Sequence, residues 1–159
     1  MAITIQKARI RQVKEIQALI KLAASEGAML PRALSDLYEY LRDFYVACDT
    51  RSGEIVGCCA LHVCWDNLAE VRSLAVKPSL QGKGIGRRLV QKCIAEARAL
   101  EIGSVFALTY VPAFFAKLGF SDYPKEKLPH KVWSDCIHCH KFPDCDEIAV
   151  ALDLAVDAR

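Results

Sequence analysis

The sequence predicts a mixed α/β fold in a single domain. Three observations point there: short apolar strand-like segments alternate with helical ones, two long strands join at a compact polar turn, and a strand runs through a glycine-rich turn into an amphipathic helix. With 159 residues, 53% of them hydrophobic, the chain has enough apolar surface for one core. The predicted domain spans 1–159, with 128–147 as a cysteine-rich insertion or tail.

Thr4 to Arg9 reads as a short strand, after which Val13, Ile16, Leu19, Ile20 and Ala23 recur at helical spacing. A second helix is signalled by Leu34, Leu37, Tyr38 and Leu41 after Pro31, with Ser35 and Asp36 as early-turn acceptors. Phe44 to Cys48 and Glu54 to Trp65 are strands of a hairpin turned by Asp49 to Gly53. Asp66-Asn67 makes the next turn, into a strand from Ala69 to Lys77. Ile85, Leu89, Cys93, Ala97 and Leu100 then draw one apolar stripe along a helix, with Arg88, Lys92, Glu96 and Arg98 mostly off it. Gly103 is the expected stop. Val105 to Tyr110 is apolar, short and bounded, hence a buried strand, and Pro112 opens a short helix ending near Gly119.

Charge excludes some partners. The net charge is +2, from 21 basic and 19 acidic residues without a basic block, so neither nucleic acid nor a membrane surface is an expected partner. No apolar run reaches the roughly 20 residues that cross a bilayer, and Gln6, Lys7, Arg9 and Arg11 interrupt any signal peptide. The expected location is the cytoplasm. There the eight cysteines are mostly thiols, with Cys58, Cys59, Cys64 and Cys93 in the core.

The segment from Val71 to Leu89 carries the chemistry. Gly82, Gly84 and Gly86 let the backbone approach a ligand closely, and the following helix offers unpaired N–H groups and a partial positive charge. A diphosphate suits such a cradle. A P-loop would need Lys and then Ser or Thr after the last glycine, where Arg87 and Arg88 stand. A dinucleotide fingerprint wants glycine at Arg87, and fits no better.

Gln81, Gly84 and Gly86 do meet the pattern Gln/Arg-x-x-Gly-x-Gly/Ala, directly after a strand reading Leu-Ala-Val-x-Pro. Here the chain resembles the GNAT superfamily of acyl-coenzyme A-dependent N-acetyltransferases. The resemblance continues into Phe114-Phe115-Ala116-Lys117-Leu118-Gly119-Phe120 and covers Ile3 to about Tyr123. It implies the order β-α-α-β-β-β-α-β-α-β, in a mostly antiparallel mixed sheet with a splayed parallel pair, flanked by helices. It also implies acetyl-CoA as cosubstrate, held by Leu74, Ala75, Val76, Gln81, Gly82, Lys83, Gly84, Ile85, Gly86, Arg87, Phe114 and Phe115. The bland reading of the loop is a turn that only starts a helix.

An amine attacking a thioester must lose a proton, and the family template puts Glu70 where a base acts, directly or through water. The alternative is a strand glutamate paired with Arg72 on the same face. By resemblance the pantetheine arm runs beside Leu74 and Val76, and the Val76 amide meets the oxyanion, a donor worth roughly 2.7–4 kcal/mol. Many family members carry a tyrosine where Phe115 stands. A phenyl ring donates no proton, so the general acid stays open between Tyr110, water and the substrate's own ammonium.

Gly27 to Leu34, Phe44 to Val46, Ala69 to Val76 and Val105 to Tyr110 look like segments of N-acetylglutamate synthases, which also lack the usual tyrosine. This narrower resemblance implies a stand-alone acetyltransferase acting on glutamate, the opening step of arginine synthesis. Two substrate carboxylates call for cationic or multi-donor partners, with Arg32 first, Arg72 second, and Ser73 and Lys131 weaker, and the resemblance to longer synthases implies a further basic contact from the tail, Lys141 or His140. For Arg32 the alternative is a solvated residue before a surface helix.

In the tail, Cys136, Cys139, Cys145 and His138 or His140 have the ligand types for tetrahedral zinc, though a second Cys-x-x-Cys is missing. A reduced cluster or a redox pair are the alternatives. The other functional classes are an acetyltransferase for glutamine, another amino acid, a polyamine or a protein, and a non-catalytic acyl-CoA sensor. The sequence does not fix oligomeric state; a homodimer is one option.

Overall fold

The computed structural model describes residues 2–129 and 147–154. The elements are β1 (Ile3–Lys7), α1 (Val13–Ser25), α2 (Leu34–Glu39), β2 (Phe44–Asp49), β3 (Ile55–Trp65), β4 (Leu68–Val76), α3 (Ile85–Ala99), β5 (Ser104–Thr109), α4 (Pro112–Ala116), β6 (Ser121–Asp122) and β7 (Ile148–Asp153). They form a seven-stranded sheet in the order β1-β2-β3-β4-β5-β7-β6. Its neighbours are antiparallel except for β4 and β5.

The expected elements are present, with differences at their ends. Leu41 falls outside α2, in a 3-10 turn from Leu41 to Asp43. Ser35 and Asp36 lie within α2, whose N-cap, Ala33, has no side-chain hydrogen bond. Gly103 does not stop α3: the helix ends at Ala99, and Glu101 takes the left-handed turn with φ 63°. Gly103 instead donates its N–H to Asn67 Oδ1 at 2.6 Å, tying the α3–β5 corner to the β3–β4 turn.

β3 explains the two-layer core. Ile55 to Leu61 are buried throughout, as expected of a strand covered on both faces. Cys58 and Ala60 face α1 and α2, together with Val13, Ile16, Ile20, Leu37, Phe44 and Val46. Val56, Cys59 and Leu61 face α3, with Leu89, Val90, Cys93 and Ala97. Cys58, Cys59, Cys64 and Cys93 are all buried thiols, as expected. Burial pushes Cys58 up to about 12, and the Cys93 thiol together with burial pushes Cys59 higher than an ordinary thiol.

Two irregularities prepare a site. The parallel pairing of β4 with β5 covers only Leu68 to Glu70, opposite Ser104 to Phe106, after which β5 continues along β7 and β4 diverges to Val76. This is the splayed pair. Against β3, Cys58 pairs Ala75 while Ala60 pairs Arg72, so β4 carries one extra residue there. Ser73, at φ 58°, lies in this bulge.

Candidate active site

The candidate coenzyme end is built from β4 and its loop. Gly82 and Gly84 take φ of 78° and 84°, a conformation that costs side-chain-bearing residues energy, and Gly84 is the N-cap of α3. That cap has no side-chain hydrogen bond, and the first turn of α3 has no acidic residue. Its N–H groups thus open onto a loop that carries Lys83, with Arg87 in the first turn of α3 itself, while Arg88 of that turn donates to the Ile3 carbonyl at 3.0 Å. Gln81 has a clear local job: its Nε2 donates to the Val76 carbonyl at 3.2 Å, fastening the loop to the end of β4.

Lys77 donates its N–H to Val56 at 2.9 Å, on the β3 side. Because backbone groups alternate along a strand, the Val76 N–H is directed to the other edge of β4, where β5 has moved away. Leu74 and Val76 pack their side chains on the α3 face, and Ala75 is buried on the opposite one, so these residues offer a ligand backbone. Ile85 is likewise buried in the core. Phe114 is half-buried, with its ring against the start of α3 near Gly86. Phe115 is 4% exposed and stacks edge-on with Phe114 and Phe120, which makes it a core residue first. A basic cleft of about 320 Å³ between α3, the turn after α4 and β7 is lined by Arg87, Gln91, Arg98 and Lys117 over Ile94, Leu118 and Leu152.

The acceptor end lies on the opposite, α2-facing side of the sheet. Glu70 and Arg72 do share a face, with Arg72 Nη1 3.6 Å from Glu70 Oε1. Arg32 reaches in from the loop before α2 and donates to Ser73 Oγ at 3.0 Å, at the bulge. Burial, and next the nearby Arg72 guanidinium, pull Arg32 below the ordinary arginine value, with Asp36, Glu70 and Tyr40 opposing. Two guanidinium groups are held close and partly desolvated. Arg72 Nε is buried and makes no hydrogen bond among the described residues. Such a cluster favours an incoming carboxylate, which satisfies the orphaned donor and relieves the repulsion.

Sequence reasoning missed three members of this cluster. Tyr40 puts its ring 5.6 Å from the Arg72 guanidinium and edge-on to His62, 5.1 Å between ring centres. Asp43, in the 3-10 turn after α2, places its Oδ2 2.8 Å from His62 Nδ1, where the carboxylate accepts from the ring N–H. His62 stands directly opposite Glu70 in the β3–β4 ladder. The tail assignments Lys131, Cys136, His138, Cys139, His140, Lys141 and Cys145 lie outside the described residues. Among the described residues, no group of three His, Cys, Asp or Glu side chains is placed to hold a metal, and no helix is long and apolar enough to cross a membrane.

Known proteins are similar to this chain in sequence and in fold. Residues 12–120 match the family model described as Acetyltransferase (GNAT) family. An uncharacterised N-acetyltransferase of Chlorobaculum tepidum is 39% identical over 150 residues, 94% of this chain and 96% of that one. An amino-acid acetyltransferase of Mycobacterium tuberculosis is 39% identical over 119 residues, 74% of this chain and 68% of that one. The crystal structure of N-acetylglutamate synthase from Neisseria gonorrhoeae, complexed with coenzyme A and N-acetyl-glutamate, superimposes with a TM-score of 0.87 at 26% identity, over 98% of this chain and 36% of that one. With the glycine loop, the splayed strands and the matched family model in agreement, the chain belongs to the GNAT acetyltransferase family and is an enzyme of that type.

Proposed function

We propose that this enzyme transfers the acetyl group of acetyl-CoA to the α-amine of L-glutamate, by direct attack in a ternary complex. The observation that carries the reading is the pair Arg32 and Arg72 beside Glu70, at the point where β4 leaves β5. On this reading the loop from Gln81 to Arg87 holds the pyrophosphate through backbone N–H groups. The splayed edge of β4 takes the pantetheine arm, the Val76 N–H meets the oxyanion, and the basic cleft along α3 suits the phosphorylated nucleotide end.

Arg32 and Arg72 then grip the carboxylates of the amino acid, with Ser73 positioning Arg32, while the Glu70 carboxylate draws the ammonium group to the thioester. A polyamine would meet like charge here, which makes an anionic acceptor the better match. The names of the relatives support the same direction: amino-acid acetyltransferase for sequences, N-acetylglutamate synthase for the fold. The biological assignment that follows is a cytoplasmic first step of arginine synthesis. The test is free thiol release from acetyl-CoA with each of the twenty amino acids and several polyamines. Glutamate is expected to be fastest. A rate no higher than with aspartate, glutamine or spermidine removes glutamate as the substrate.

A further inference from the structure

We infer that His62, clamped by Asp43, is the group that takes the proton from the acceptor amine, with Glu70 gathering the ammonium ion beside it. The inference rests on the acetyl-transfer reading above and names a catalytic residue that reading lacks. Its basis is geometric: His62 Nδ1 lies 2.8 Å from Asp43 Oδ2, and the residue faces Glu70 across the β3–β4 ladder, where opposed Cβ atoms stand roughly 4.5–5.5 Å apart.

Three contacts make this more than a chance surface pair. Asp43 fixes one ring nitrogen, so that in the neutral ring Nδ1 carries the hydrogen and Nε2 is the acceptor. Tyr40 packs edge-on against the imidazole and sets its plane. The same tyrosine lies under Arg72, so the histidine shares a wall with the proposed carboxylate grip. The His62 and Asp43 side chains are 20% and 25% exposed, open enough to meet a substrate or a bridging water. The charged and titratable groups facing it are Asp43 from the 3-10 turn, Tyr40 from the junction between α2 and that turn, and Glu70 and Arg72 from β4, with Arg32 from the loop before α2 and Asp36 from α2 lying beyond them.

Chemistry favours a second base. Glu70 is already engaged in an ion pair with Arg72, which proton uptake by the carboxylate would disturb. Imidazole is in general a better match to an amine than a carboxylate is, so the residue type suits the role. The steps balance as follows. One ammonium proton passes to His62 Nε2, directly or through one water, and Asp43 stabilises the imidazolium. The freed nitrogen lone pair attacks the thioester carbon, the N–C bond forms and the C–S bond breaks. A second amine proton goes to the departing thiolate, and His62 returns its proton to solvent.

The test compares pH profiles of kcat/KM for wild type, His62→Gln and Asp43→Asn, using the amine that wild type acetylates fastest. We expect His62→Gln to lose about a hundredfold at neutral pH and to lose the acidic limb of the profile, with coenzyme A affinity within twofold of wild type. Asp43→Asn should fall about tenfold, and added imidazole should restore part of the activity of His62→Ala. If His62→Gln keeps both the limb and a rate within threefold of wild type, Glu70 is the base and the inference is wrong. A loss that imidazole and pH leave untouched also overturns it, because that is the mark of a structural residue. A wild type inactive with every amine removes the underlying reading as well, a result distinct from either of these.

Discussion

The proposed coenzyme end of the site is made of backbone, in one stretch of chain from Leu74 to Gly86, whereas the proposed acceptor end is made of side chains from separate segments: Arg32, Tyr40 and Asp43, His62, then Glu70 and Arg72. The two meet at the Ser73 bulge, whose hydroxyl accepts from Arg32 and whose carbonyl accepts from the Cys58 thiol at 3.4 Å. A backbone site needs particular residues only where the chain bends, so glycines mark it. A side-chain site can draw on any segment that the fold brings near.

That difference is open to attack by substitution. Replacing Gly84 by Val puts a β-branched residue at φ 84°, a strain of roughly 1–3 kcal/mol, and is expected to weaken coenzyme A binding by up to about a hundredfold. Binding within threefold of wild type would show that the loop conformation is not what holds the phosphates. Arg32→Ala removes charged hydrogen bonds worth roughly 1.5–3 kcal/mol each. It should raise the KM for glutamate tenfold or more and leave coenzyme A affinity alone; an unchanged KM moves the carboxylate site elsewhere.

Phe115→Tyr probes the residue that departs from the usual family pattern. Its ring is 4% exposed among Phe114 and Phe120, so the added hydroxyl is expected to cost about 1–3 kcal/mol of stability in a melt and to leave kcat no higher. A rise in kcat would instead place this position within reach of the leaving thiolate. The last effect, confined to alkaline pH, concerns the bulge. Cys58 goes from 9.0 to about 12 on folding, so the folded chain holds more protons than the unfolded one between those values. Stability should therefore be unaffected by this group below pH 9 and fall by up to about 1.4 kcal/mol per pH unit above it. Cys58→Ala should make that alkaline decline shallower, which denaturant melts across pH 8–11 would measure.

Legibility followed the same division. The strand, glycine turn and helix from Leu68 to Ala99 were readable because periodicity and turn residues are local properties. The Glu70–Arg72 pair was readable too, since it needs only the two-residue repeat of a strand. His62 was not, for a specific reason. The turn pairs Trp65 with Leu68, and carried straight on, that register would put Val63 opposite Glu70 and His62 opposite Val71. One extra residue on β3 between Val63 and Trp65 shifts the pairing by one, bringing His62 to Glu70 and onto the α2-facing side. Asp43 and Tyr40 were hidden similarly, because α2 stops at Glu39 and the chain continues as a tighter turn that aims both at His62.

In the proposed site, coenzyme and acceptor are held independently, one by main chain and the other by side chains. Calorimetric titration of coenzyme A into wild type, Arg32→Ala and Gly84→Val tests this in one series. Saturable heat at one site per chain is predicted for wild type, nearly the same curve for Arg32→Ala, and a curve shifted to much weaker binding for Gly84→Val. Absence of any heat with folded wild-type protein, or equal weakening in both variants, would contradict it.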